Sequence, residues 1–212
     1  MTKVLLSFAS ALTLLLSTAA QAGTEQAQEL SLRDTRVDGF AKGSLELENV
    51  TGAFFFFDRG DNGGSTIDLA VDSLRLGVML SNPHGTGFFA GNSEFLGEVF
   101  GGPIFEGPGS VTAGATIFIR YNFFRPGARV IPYFQIGGGG VYTDIDQKGS
   151  RGLVSLPVEF NLQGGGGLRI PINRHWSLLM EAGYRHISNA SIKSPNGGVD
   201  SLGGDLGFGF SF

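Results

Sequence analysis

The sequence predicts an all-β protein, an eight-stranded antiparallel transmembrane β-barrel. Three observations carry this. After residue 43 the dominant hydrophobic period is two. The alternating segments run about 12–17 residues, where ordinary strands run about 5–6. The parity that is not apolar holds Glu, Arg, Gln and Asn, charges of both signs, rather than the Thr, Ser and Lys mix of a solvated sheet face. Successive strand side chains point to opposite faces. Each segment therefore offers one apolar face to lipid and one charged face that can pair inside a narrow lumen.

Along the chain, residues 1–22 read as a secretory signal peptide. Lys3 supplies the positive start, Val4–Leu16 the apolar run and Ala20-Gln21-Ala22 the small-residue cleavage site before Gly23. That run is too short for a membrane anchor. Residues 23–42 lack a pattern and are expected to form a periplasmic tail or a short plug. Residues 43–212 form the barrel, with strands expected at about 44–58, 66–82, 86–101, 110–124, 130–144, 156–171, 174–188 and 200–212. Between them, "NPHG" (82–85), "RPGAR" (125–129) and "INR" (172–174) predict short periplasmic turns. The stretches near 59–65, 102–109, 145–155 and 189–199 predict longer extracellular loops. An even strand count permits closure with both termini on one side, and closure matters because an open sheet edge is not tolerated in hydrocarbon.

The alternation is clearest late in the chain. Leu202, Leu206, Phe208, Phe210 and Phe212 fall on one parity; Gly203, Asp205, Gly207, Gly209 and Ser211 fall on the other. Val158, Phe160, Leu162, Leu168 and Ile170 alternate with Glu159, Asn161, Gln163 and Arg169. "VTGAFFFF" alternates poorly, and its "FFFF" (54–57) is expected to meet lipid or the interface. Arg120, Arg169, Arg185, Glu159 and Glu181 are expected to form a salt-bridge network in the lumen in place of a hydrophobic core. Tyr121, Phe123, Phe124, Tyr142, Trp176 and Tyr184 lie near strand ends, where an aromatic girdle sits. The terminal Phe212, in phase with the apolar parity, resembles the assembly signal of bacterial outer-membrane proteins.

Composition narrows the function. There is no cysteine, so neither a disulfide framework nor a cysteine-ligated metal site is available. A net charge of −4 argues against a nucleic-acid partner, which usually wants a basic face. The 35 glycines follow no G-X-Y period, which removes a collagen-like reading. The blocks Gly137–Gly140 and Gly164–Gly167 lack the Gly-Lys-Ser/Thr of a phosphate loop. They read as close backbone approach and barrel curvature. His84 and His175 read as turn and strand-end residues.

One polar set does not fit a structural role. In "HWSLLMEAGYRHIS", Trp176, Leu178, Met180, Ala182 and Tyr184 share the lipid-facing parity, whereas Glu181, Gly183 and Arg185 face inward, with Leu179 and Ile187 as apolar exceptions. His186 and Ser188 continue the outward parity, a costly place for polar groups in hydrocarbon. With the C-terminus periplasmic, strand seven ends outside. The pair then sits at the outer-leaflet interface, level with the glucosamine and ester groups of lipopolysaccharide. Same-face residues two apart lie roughly 6.5–7 Å apart, a gap an imidazole spans to a serine hydroxyl. A hydroxyl beside an imidazole base is the arrangement of acyl transfer, and it wants a carboxylate on the other ring nitrogen. Asp200, at the start of strand eight, returns to the same region.

"HISNASIKSPNGGVD" (186–200) resembles the signature of the PagL-type lipid A 3-O-deacylases: His-x-Ser-Asn-Ala, a short loop with an Asn-x-Gly element, then an acid twelve residues after the serine. The resemblance implies an eight-stranded outer-membrane barrel with an outward-facing site. It implies Ser188 as nucleophile, His186 as general base, Asp200 as orienting acid, and a supporting role for Asn189 or Asn196 near the oxyanion. Lipid A is the implied substrate, with neither metal nor organic cofactor. The family's acid is usually Glu. Asp is one methylene shorter, so a backbone shift of about 1–1.5 Å is expected before it reaches His186. A homodimer could cover or gate such a site. Two other readings belong to different classes: a non-enzymatic small barrel with a structural or surface-binding role, and a soluble periplasmic lipid-binding barrel, whose apolar parity would have to line the interior.

Overall fold

The computed structural model describes residues 38–57, 66–125, 127–145 and 150–212. The signal peptide expected at 1–22, most of the segment 23–42 and the loop expected near 59–65 lie outside the described residues. Among the described residues eight strands pair in sequence order and close through β1 and β8, every pair antiparallel. They are β1 Leu45–Phe56, β2 Asp68–Met79, β3 Asn92–Glu106, β4 Val111–Asn122, β5 Ile131–Thr143, β6 Val158–Pro171, β7 Trp176–Ser188 and β8 Val199–Ser211. No described helix is long and apolar enough to cross a membrane. The wall is apolar instead: Leu76, Ile117, Ile136, Leu162 and Leu206 are exposed, each more than half.

Strand three departs from expectation. It begins at Asn92, because "TGFFAG" (86–91), expected as strand, joins the expected "NPHG" turn in one compact connection. His84 pairs with Gly91 across it, and a 3₁₀ turn spans Gly87–Phe89. Gly85 and Gly87 take φ of 82° and 65°, values a strand cannot use. The strand then runs on through Gly101, Gly102 and Pro103 to Glu106, so the loop expected at 102–109 shrinks to Gly107–Ser110. Asp144 fastens that connection by accepting the amides of Ser110 and Val111 at 2.7 and 2.9 Å. These two donors hold its carboxyl below the usual carboxylate range.

The lumen is filled in three layers. At the end that carries the C-terminus Phe40, Met79, Phe124 and Ile131 form an apolar plug, with Phe40 and Phe124 stacked at 4.5 Å. At the outer end Phe54, Ile67, Leu69, Phe100, Ile145, Leu153, Val154, Ile187 and Val199 form another. The "FFFF" run therefore splits: Phe54 is buried in this plug while Phe55 is exposed on the wall.

Between the plugs lies the ion-pair network. Arg75 bonds Glu98 and Glu181, each at 2.7 Å. Arg120 grips both carboxylate oxygens of Glu48, bonds Gln135 at 2.9 Å and lies 4.3 Å over the Tyr133 ring. Arg169 reaches Glu46 and Glu48. Arg75, Glu46, Glu48, Glu94 and Glu98 join the three expected members Arg120, Arg169 and Glu181. Two other members are reassigned. Arg185 sits between the Phe54 and Phe100 rings, 4.7 and 4.5 Å from their centroids, and donates to Gln163. Glu159 instead accepts the amides of Ser155 and Leu156 at 3.0 and 3.1 Å, near the barrel mouth.

The glycine blocks make room for rings. A Cβ on Gly137 would run into Phe118, and one on Gly167 into Tyr133. Both face the lumen, where the aromatic residues back the arginines.

Candidate active site on the outer wall

His186 and Ser188 lie on the outward parity of β7, at its upper end. Nε2 of His186 is 2.9 Å from Ser188 Oγ, and Nδ1 is 2.8 Å from Asp200 Oδ1. The chain of contacts requires one tautomer: Nδ1–H donates to the carboxylate, and Nε2 accepts from the serine. The expected backbone shift is not needed. β7 and β8 pair with His186 directly opposite Asp200. Directly opposed Cβ atoms lie about 4.5–5.5 Å apart, within reach of an aspartate. Asp200 is 5 % exposed and the His186 side chain 26 %. The carboxylate is thus shielded while the imidazole stays open on the outer face of the wall. Around them the wall is apolar: Phe160 pairs across from Ser188 and Leu162 from His186, and both are exposed.

The connection Asn189–Gly198 rises from this site and is clasped by the loop before β6. Gly197 and Gly198 amides donate to the carbonyls of Gly152 and Leu153. The Asn189 amide group is buried and turned into the clasp, donating to Ser155 Oγ at 2.8 Å and to the Lys193 carbonyl at 3.0 Å. Asn196 Oδ1 accepts the backbone N–H of Asn189 at 3.1 Å. Ala190 and Ser191 have φ of 51° and 67°, sparsely populated for side-chain-bearing residues. Such conformations persist where surrounding bonds over-determine them, and the bonds of Asn189 do so here. Ser155 and Glu159 carried no signal in sequence for this role, since loop clasping depends on two connections meeting in space.

Gly198 closes the loop at φ 79°, and a Cβ there would lie 2.9 Å from His186 Cε1. Gly198→Ala therefore meets a left-handed penalty of about 1–2 kcal/mol and also pushes the imidazole. Its urea midpoint for unfolding from detergent micelles is expected to fall by a matching amount.

His84 and His175 make local contacts with the carbonyls of Asn82 and Ser211. Glu46, Glu48 and Glu94 bring carboxylate oxygens within 4.8 Å of one another, as a cation site would. Arg120 and Arg169 pair with them and supply the countercharge.

The family model for lipid A 3-O-deacylase (PagL) matches residues 74–209, a span from mid-β2 to β8 that contains the whole His186–Asp200 arrangement. The chain belongs to the lipid A 3-O-deacylase (PagL) family. Solved structures agree on the fold. The outer membrane enzyme PagL shares 18 % identity over 77 % of this chain and 97 % of its own, with a TM-score of 0.50. The N-terminal β-barrel domain of Pseudomonas aeruginosa OprF shares 16 % identity over 81 % of this chain and 98 % of its own, with a TM-score of 0.52. No curated protein sequence matches significantly. As a PagL-family protein the chain is a lipid A deacylase of the outer membrane, and the apolar wall is its lipid-facing surface.

Proposed function

We propose that this PagL-family barrel hydrolyses the 3-O-linked hydroxyacyl ester of lipid A through Ser188, His186 and Asp200. The observation that carries the assignment is the unbroken line Ser188 Oγ–His186 Nε2 and His186 Nδ1–Asp200 Oδ1, with both gaps under 3 Å, on the lipid side of the wall. Ser188 Oγ attacks the ester carbonyl carbon while its proton passes to His186 Nε2. Asp200 stabilises the imidazolium that forms and keeps its ring oriented. Collapse of the tetrahedral intermediate breaks the bond to the sugar oxygen, which takes the proton from His186. Water, deprotonated by the same imidazole, then attacks the acyl-serine, releases the 3-hydroxy fatty acid and restores Ser188. Of the two asparagines, Asn196 is the one with an amide to offer the oxyanion. Its Oδ1 is committed to the Asn189 N–H, which orients the Nδ2 donor; Asn189 acts by latching the loop.

With the C-terminus on the periplasmic side, the site faces the outer leaflet, because β7 rises from the end that carries the C-terminus. Lipid A extracted from cells that express the chain is expected to lose the mass of one hydroxyacyl group relative to cells without it. Unchanged lipid A in an outer membrane that contains the folded protein would return the chain to the non-enzymatic reading.

A further inference from the structure

Tyr184 stands one outward position below His186 on β7, beside two members of the relay, His186 and Asp200. Its hydroxyl donates to Asp200 Oδ1, the same oxygen that accepts from His186 Nδ1. Its ring lies nearly parallel to the imidazole, at 14° with centroids 6.5 Å apart. Across the β7–β8 pair His186 faces Asp200 and Tyr184 faces Leu202, so the phenol reaches the carboxylate along a diagonal. Diagonal neighbours of this kind are within reach of aromatic side chains. Phe57 braces the assembly from the far side: its ring is 6.2 Å from that of Tyr184, and its amide donates to the Asp200 carbonyl at 3.0 Å.

We propose that Tyr184 is a positioning residue for the deacylation, fixing the carboxylate of Asp200 so that this shorter acid orients His186. The inference rests on the Ser188–His186–Asp200 reading. The bond from His186 sets one distance to Oδ1; the phenol, carried by a ring whose direction the strand parity fixes, sets a second distance to the same oxygen and so narrows where that oxygen can lie. Hydrogen bonds to an ionised carboxylate are also the stronger kind, and in an apolar wall they keep the charge in place while the imidazolium forms. A glutamate at this position would carry its carboxylate one methylene farther from β8. Aspartate keeps it where the phenol reaches.

The test is a double-mutant cycle on the purified, refolded full chain, with lipid A in mixed micelles as substrate. Tyr184→Phe keeps the ring and its lipid contacts and removes only the hydroxyl. It is expected to lower kcat about 10–100-fold, the cost of a misplaced catalytic group, with KM within about twofold. In an Asp200→Ala background the same change is expected to cost less than about twofold, since groups that act through one another are not additive. A raised KM with kcat unchanged would make Tyr184 a lipid contact. An equal loss in the Asp200→Ala background would make it independent of the acid. Either result overturns the proposal. Ser188→Ala runs alongside: full activity there sinks the parent reading, whereas an inert Ser188→Ala with a wild-type kcat for Tyr184→Phe sinks only the role of Tyr184.

Discussion

Ser188→Ala is expected to give a folded barrel that leaves lipid A intact, with turnover reduced on the order of 10⁴-fold or more, as when a serine nucleophile is removed from a triad. The side chain ends β7 on the outer face and its hydroxyl bonds His186. In the proposed mechanism, removing it deletes the atom that attacks the ester and the proton that passes to His186. The other hydroxyl two strand positions from His186, that of Tyr184, is engaged with Asp200 rather than with Nε2. Backbone pairing of Ser188 with Phe160 does not depend on the hydroxyl, so heat-modifiable migration on gels should match wild type. The mass of lipid A from expressing cells checks the activity. A variant that still releases the hydroxyacyl chain would show that another group carries the attack.

Arg120→Met is expected to destabilise the barrel by about 3–5 kcal/mol, the range for removing one partner of a buried ion pair. Arg120 is fully buried. It bonds both oxygens of Glu48, approaches Glu94 and Glu181 at 3.5 Å and covers the Tyr133 ring. Methionine leaves the Glu48 carboxylate enclosed among other carboxylates without its main counter-ion. The urea midpoint for unfolding from detergent micelles should fall accordingly. Arg120→Met with Glu48→Gln should recover part of the loss, because the second change removes the stranded charge. An unshifted midpoint for the single variant would mean that water in the lumen solvates these carboxylates. The same network lies below the outer plug, away from Ser188, so activity measured on the folded fraction should stay near wild type.

Much of this was readable in the residues because a membrane barrel obeys a strict period. The parity of 113–123, 158–171 and 176–188 predicts which side chains face the lumen, and Arg120, Arg169 and Glu181 are found there. The same parity puts His186 and Ser188 outside. The early strands were harder. "NPHGTGFFAG" contains apolar residues at strand-like spacing, yet its glycines adopt positive φ, and β3 starts six residues later than expected. Glu159 and Arg185 have the inward parity of a network member, but depth decides their partners. Both lie near the outer rim, where loop amides and phenyl rings are closer than opposite charges.

By itself the sequence determined the alternation, the strand number, the outward placement of His186 and Ser188 and the acid twelve residues on. These follow from local geometry, because a strand has one period and a loop a limited reach. Whether the short side chain of Asp200 reaches His186 was decided only by tertiary structure. Register is a property of two strands, and pairing β7 with β8 sets His186 opposite Asp200, where the shorter side chain spans the gap. That closeness, with Tyr184 on the diagonal and Gly198 beneath the imidazole, comes from strands and loops meeting in space, which no single stretch of chain contains.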